Sequence, residues 1–457
     1  MDNKTGTSGD DTFSGTLIAA GATGTTAQPG DVINGGAGTD TFNLSIAGAT
    51  TNVAVSALTV NGVEKVLVNN FDTSGAGFND IDTSLFTGVT TVGLSASSAE
   101  GDTSFSNLAA ITAAEVKSGS GDLTLNYVAA AVAGTADVQA LALQGVTAGT
   151  VTVNGVETVA VSNALVASVL TALTTDAATI TVNASAALNL GVALATTAKT
   201  VNASASTAGV TLITSTATDA TITGGSGNDS ITTGTAVGAG TTVNAGTGTD
   251  TLALTADAIT TALIGARYTG FETLAISQAV AATATRAQDL SLVSGLTTAA
   301  ITTLADTADG NADNTQTVNF TNASATVAGL AISGLASVED GHFLTGAVSL
   351  TRATDTTADS ITLTLGTATA SAGATATVAA AGAKVINVTL NNEETISVVS
   401  QGAANFVGTL TSADATTINV SGSKALSIAS IAAGSKKFVR PCGKRYSKFF
   451  SGSDSEK

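Results

Sequence analysis

The amino-acid sequence predicts an all-β protein, an elongated β-solenoid or parallel β-helix built from coils of about 20 residues. Three observations carry that reading. Strand-forming Thr, Val and Ile dominate, while only 11% of the 457 residues are charged, so the strong polar helix formers are scarce. Short apolar alternations are separated by small-residue turns supplied by 49 glycines. Finally, one strand-like unit recurs: Thr181-Val182-Asn183-Ala184, Thr200-Val201-Asn202-Ala203, Thr221-Ile222-Thr223-Gly224 and Thr242-Val243-Asn244-Ala245 follow at intervals of 19, 21 and 21 residues. Such a period over the chain body gives roughly 20 coils stacked about 4.8 Å apart.

The composition excludes most chemistry that depends on reactive side chains. Trp is absent, and Cys, Met and His occur once each. One His and one Cys build neither a His/Cys zinc site nor a Ser-His-Asp or Cys-His nucleophile. No H-E-x-x-H, G-x-S-x-G or Walker A pattern is present, so the protein is not expected to be an enzyme. His342, in Glu339-Asp340-Gly341-His342-Phe343, reads as a polar turn residue. The formal charge is −18, and residues 1–435 carry 9 basic against 32 acidic groups, a net of −23. An acidic body disfavours nucleic acid and anionic membranes and favours divalent cations.

Along the chain, the start Met1-Asp2-Asn3-Lys4 lacks the basic and apolar regions of a secretory signal. Stretches such as 180–198 are broken by Thr, Ser and Asn and alternate as strands do, which makes them poor membrane spans. The segment from Gly6, continued by Pro29 to Leu44, returns from Gly224, continued by Ala239 to Leu254. That duplication predicts a first module over 1–220 and a second over 221–435. Three further units pair a turn with a strand: Gly62-Val63-Glu64-Lys65-Val66, Gly155-Val156-Glu157-Thr158-Val159 and Gly270-Phe271-Glu272-Thr273-Leu274. Each Glu reads as solvated or as an acceptor for turn amides. Residues 436–457 hold seven of the 16 basic residues and the lone Cys. They read as a disordered tail, a truncated or foreign end, with docking on an acidic surface or anionic lipid as the alternative.

Four nine-residue windows carry the chemistry: 6–14 (GTSGDDTFS), 35–43 (GGAGTDTFN), 224–232 (GGSGNDSIT) and 245–253 (AGTGTDTLA). Each has Gly in the first or second place, Gly in the fourth, Asp in the sixth and an apolar residue in the eighth. Chance would supply roughly 0.3 such windows. Glycines permit φ > 0 turns and close carbonyl approach, Asp offers a hard oxygen, and the apolar residue anchors a short strand. The acidic loops at 72–82 and 306–313 fit no such spacing.

These windows resemble the glycine-rich nonapeptide of RTX proteins, the calcium-binding exported proteins of Gram-negative bacteria. The resemblance implies RTX calcium turns at 6–14 and 27–43 in the first module, and at 224–232 and 245–253 in the second. Carried over by position, Asp11, Asp40, Asp229 and Asp250 would be side-chain ligands of Ca²⁺, and Gly9, Gly38, Gly227 and Gly248 would line the turns. Asp31, 20 residues after Asp11 and nine before Asp40, would fill the equivalent place in a degenerate intervening repeat. The Ala/Thr-rich body further resembles surface-layer proteins that share these repeats. That family implies type I secretion, a cell-surface location and a calcium-dependent two-dimensional lattice by self-association, with lipopolysaccharide or another surface polysaccharide as anchor. A type I-secreted adhesin is the alternative reading, and a secreted hydrolase with RTX repeats a third.

Overall fold

The computed structural model describes residues 3–18, 24–48, 54–55, 57–73, 75, 77–256, 258–277, 285–302, 317–333, 344–366, 384–402, 404–433 and 437–439. It is a parallel β-solenoid with almost no helix among the described residues, as the composition predicts. The described helical structure is one turn at Ala262–Gly265 and a 3₁₀ turn at Leu290–Leu292. The chain packs as two compact units, Met1–Asp229 with Gly238–Thr241, and Ser230–Val237 with Thr242–Lys457.

In the first unit a long parallel sheet runs through Thr12–Ile18, Thr41–Ala47, Lys65–Phe71, Thr91–Ser97, Ala113–Gly119, Val138–Val146, Thr158–Asn163, Thr179–Ala184, Thr200–Asn202 and Thr221–Thr223. Alternation sends every second side chain inward, as a strand must. In Thr41–Ala47, Phe42, Leu44 and Ile46 are fully buried, and Asn43 and Ser45 between them are half-exposed. In-register stacking then turns each buried position into a column. Phe42, Val66, Val92, Ala114, Leu141, Val161 and Val182 follow one another from coil to coil. The second unit repeats the device with Ile231, Leu252, Leu274, Ala299, Leu330, Leu363, Val398 and Val420. Each fully buried Leu, Ile or Val contributes about 1.5–3 kcal/mol, so aliphatic columns make aromatic residues dispensable.

The 20-residue period holds only in part of the fold. Thr158, Thr179, Thr200 and Thr221 pair at 21-residue steps. The step is 29 residues from Thr12 to Thr41 and 35 from Ser360 to Thr395, so those coils are longer. The stack therefore has fewer coils than a uniform period requires. One alignment also shifts: Thr200-Val201-Asn202 pairs with Thr179-Ile180-Thr181, two residues before the match that sequence similarity suggests. A shift of two leaves every side chain on its own face.

The predicted disordered tail needs a correction at its start. Lys437–Val439 forms a short strand paired with Thr417–Gly422, since an open parallel edge accepts any extended segment that follows it. Residues 440–457, His342 and the 306–313 loop lie outside the described residues.

Close stacking sets a measurable constraint at Gly93, where a Cβ would lie 1.8 Å from the Glu115 carbonyl oxygen of the next coil. Gly93→Ala should cost about 1–3 kcal/mol or more in urea-induced unfolding. At Gly9 a Cβ would meet nothing nearer than Thr7 Oγ1 at 3.9 Å, so Gly9→Ala should stay within about 0.5 kcal/mol of the parent.

Candidate functional site

The residue just before each strand of the long sheet sits at one corner of the coil. Asp11, Asp40 and Glu64 precede Thr12, Thr41 and Lys65, which pair in register, so the three acids stack. The corner N–H groups leave the regular ladder, and burial obliges them to find an acceptor. The Asp11 N–H donates to Asp40 Oδ1 at 2.7 Å, and the Asp40 N–H to Glu64 Oε2 at 2.7 Å. A carboxylate of one coil thus holds the backbone of the coil before it through a charge-assisted hydrogen bond.

The same step recurs. The Asp137 N–H donates to Glu157 Oε2 at 2.7 Å in the first unit. In the second, Asp250 donates to Glu272 Oε2 at 2.8 Å and Asp359 to Glu394 Oε2 at 2.7 Å. Three of these columns end on threonine: Thr90, Thr297 and Thr416 donate their hydroxyls to the carbonyls of Glu64, Glu272 and Glu394 at 3.2, 3.3 and 3.2 Å. Glu64, Glu157 and Glu272 are thus acceptors for turn amides, as the sequence suggests. Asp137, Asp359, Glu394 and Asp10, whose Oδ1 accepts from the Thr39 N–H at 2.7 Å, escaped sequence reasoning. The signal was an acid followed by a small polar and an apolar residue, as in Asp359-Ser360-Ile361 and Glu394-Thr395-Ile396.

The predicted calcium residues fall into distinct settings. Asp11 Oδ2 accepts from the Thr7 N–H at 2.5 Å and the Thr7 hydroxyl at 3.0 Å. Asp40 is fully buried, and its Oδ2 is without a hydrogen-bond partner. Asp31 differs from the expectation: it precedes Val32–Asn34, a strand of another sheet, and its Oδ2 accepts from the Gln28 N–H at 2.8 Å. It therefore lies at a different corner and does not stack with Asp11 and Asp40. Asp229 Oδ1 accepts from Val210 N–H and Oδ2 from Gly225 N–H, both at 2.7 Å, while burial raises its carboxyl pKa above the usual value. Asp250 is fully buried and belongs to the second unit. Gly38 and Gly248 take φ of +122° and +144°, turn geometry that a side chain would strain. Gly38 packs on Gly9, and Gly227 on Ala208.

Among the described residues no three His, Cys, Asp or Glu side chains form a metal-holding group. The donors at the Asp11–Asp40 corner are instead mixed carboxylate and carbonyl oxygens. A Cβ at Gly6 would stand 2.0 Å from the Gly35 carbonyl oxygen and 2.6 Å from Asp11 Oδ2. At Gly35 it would stand 1.8 Å from the Gly62 carbonyl oxygen and 2.4 Å from Asp40 Oδ2. Oxygens of successive coils converge there, and only glycine tolerates them. Hard oxygens of this kind suit calcium, and the unpartnered Asp40 Oδ2 has a lone pair to offer.

One further acid is structural. Glu393 is fully buried and takes a forked pair from Arg352, Nε to Oε1 at 2.7 Å and Nη2 to Oε2 at 2.9 Å. Burial pushes the Glu393 carboxyl up and Arg352 opposes it. Arg352 also donates to the carbonyls of Ser324, Val327 and Ser360, so both charges are fully used in holding coils together.

No protein-family model matches the chain, and no curated protein matches it.

If the glutamates hold the corners, Glu272→Ala should strand the Asp250 N–H and cost about 1–3 kcal/mol in denaturant unfolding. Glu272→Gln retains a carbonyl oxygen and should lose less than half of that.

Proposed function

We propose that this protein is a structural cell-surface protein, a calcium-stabilised surface-layer subunit of RTX type exported by type I secretion. The observation that carries the reading is the Asp11–Asp40 corner, where a buried carboxylate oxygen without a hydrogen bond lies among glycine-lined carbonyls of the adjacent coils. Asp11 and Asp40 with the Gly35 and Gly62 carbonyls would hold calcium. The ion would neutralise carboxylates crowded between coils and tie one coil to the next. Affinity should be that of extracellular modules, roughly 10⁻⁴ to 10⁻³ M, because the site offers few charges. Asp229 would serve less well, since both its oxygens already accept backbone N–H groups.

Lattice formation is supported by the outward face of the long sheet in the first unit. From Thr158 onward its columns read Thr158, Thr179, Thr200, Thr221 and Ala160, Thr181, Asn202, Thr223, with no charge on either, whereas Lys65, Glu115 and Lys117 occupy the same face on earlier coils. In a body this acidic, uncharged faces are where copies approach with least repulsion. No helix among the described residues is long and apolar enough to cross a membrane.

The test is melting and electron microscopy of one sample in chelator and in millimolar calcium. The reading predicts a higher melting temperature and ordered sheets with calcium. A stable protein that stays dispersed and binds a surface glycan would favour the adhesin. Asp40→Asn isolates the ion: it keeps an acceptor for the Asp11 N–H and replaces an oxygen that accepts no hydrogen bond. It should cost about 1 kcal/mol of stability in several-fold excess calcium and almost none in chelator. Equal loss in both conditions would contradict a calcium site.

A further inference from the structure

The sequence contains three Asn-Gly pairs in the same local pattern, Ile33-Asn34-Gly35, Val60-Asn61-Gly62 and Val153-Asn154-Gly155. Each follows the last buried residue of a strand, so local sequence alone gives them equal reactivity. Asn before Gly is prone to cyclise, because glycine lets its backbone nitrogen approach the preceding side-chain amide unhindered.

The fold separates the three. Asn34 and Asn61 are half-buried members of a side-chain ladder: Asn61 Nδ2 donates to Asn34 Oδ1 at 3.1 Å, and Thr87 Oγ1 donates to Asn61 Oδ1 at 3.0 Å. Their glycine nitrogens are also held, Gly35 N–H by the Asn61 carbonyl at 2.8 Å and Gly62 N–H by the Thr87 carbonyl at 3.0 Å. A carbonyl oxygen cannot take the proton away at neutral pH. Asn154 is exposed, and its side chain makes no hydrogen bond. The Gly155 N–H donates instead to Asp176 Oδ1 of the next coil at 2.8 Å. Gly155 has φ +85°, at a turn outside the strand ladder.

We propose that Asn154 is a site of spontaneous deamidation, with Asp176 as the group that accepts the Gly155 amide proton. The Gly155 nitrogen bonds to Asn154 Cγ as its proton passes to Asp176. The Cγ–Nδ2 bond then breaks, and the nitrogen leaves as ammonia with that proton, giving a cyclic imide. Water opens the imide at either carbonyl, leaving Asp or isoaspartate at position 154. The change places a new negative charge beside Asp176 and, in the isoaspartate product, lengthens the backbone at a coil corner. This modification is independent of any calcium site.

The test is peptide mapping by mass spectrometry, with isoaspartate detection, on the full-length protein aged at mildly alkaline pH. Asn154 should convert at least about tenfold faster than Asn34 and Asn61, whose reaction must await local opening of the ladder. In concentrated urea the three rates should converge. Asp176→Asn should slow conversion at Asn154 severalfold in the folded protein and leave it unchanged in urea. The proposal is overturned if the three sites react alike in the folded protein, if the difference persists in urea, or if Asp176→Asn leaves the Asn154 rate unchanged.

Discussion

The backbone N–H at the corner of each coil is the group on which this solenoid depends. Within the strands, parallel stacking satisfies donors and acceptors automatically. At a corner the chain turns out of the ladder, and a buried N–H left there costs about 1–3 kcal/mol. The protein answers with acidic side chains stacked in register, each reaching back one coil. Asp40 serves Asp11, Glu64 serves Asp40, and the same relation links Glu157 to Asp137, Glu272 to Asp250 and Glu394 to Asp359. Part of the large negative charge is thus tied to architecture.

The second constraint follows from the spacing of coils. Neighbouring backbones lie close enough that several glycines are fixed by an atom of the next coil, such as the Glu115 carbonyl against Gly93. Small and aliphatic side chains can then repeat in columns with few voids, as Val66, Val92 and Ala114 do. The buried charges of Arg352 and Glu393 are paired with each other.

These constraints explain how much was legible in the sequence. Period-two alternation in segments such as Thr41–Ala47 and repeated Thr-x-Thr/Asn units foretold parallel stacked strands, because both follow from local geometry. The true step from Thr179 to Thr200 was hidden, since sliding by two residues leaves the pattern unchanged. Coils of 29 and 35 residues, from Thr12 to Thr41 and from Ser360 to Thr395, depart from the period and leave no periodic signal. The Glu of each Gly-Val-Glu or Gly-Phe-Glu unit reads from sequence as solvated or as an amide acceptor; it is the acceptor, and its donor, a coil away, emerges only once coil length is known. Asp31 shows the converse: its distance from Asp11 and Asp40 suited a stack, yet it precedes a strand of a different sheet. Sequence separation cannot tell which corner of a coil a residue occupies.

Inter-coil carboxylates, with or without a bound ion, hold the corner amides. Residue-resolved hydrogen exchange in chelator tests this role most directly, at the backbone amides of Asp40, Asp137, Asp250 and Asp359. Protection should be comparable to that of strand amides such as those of Phe42 and Val66, and should be lost at Asp250 alone in Glu272→Ala. Exchange of these four amides as fast as that of exposed turn residues such as Gly9 would contradict it.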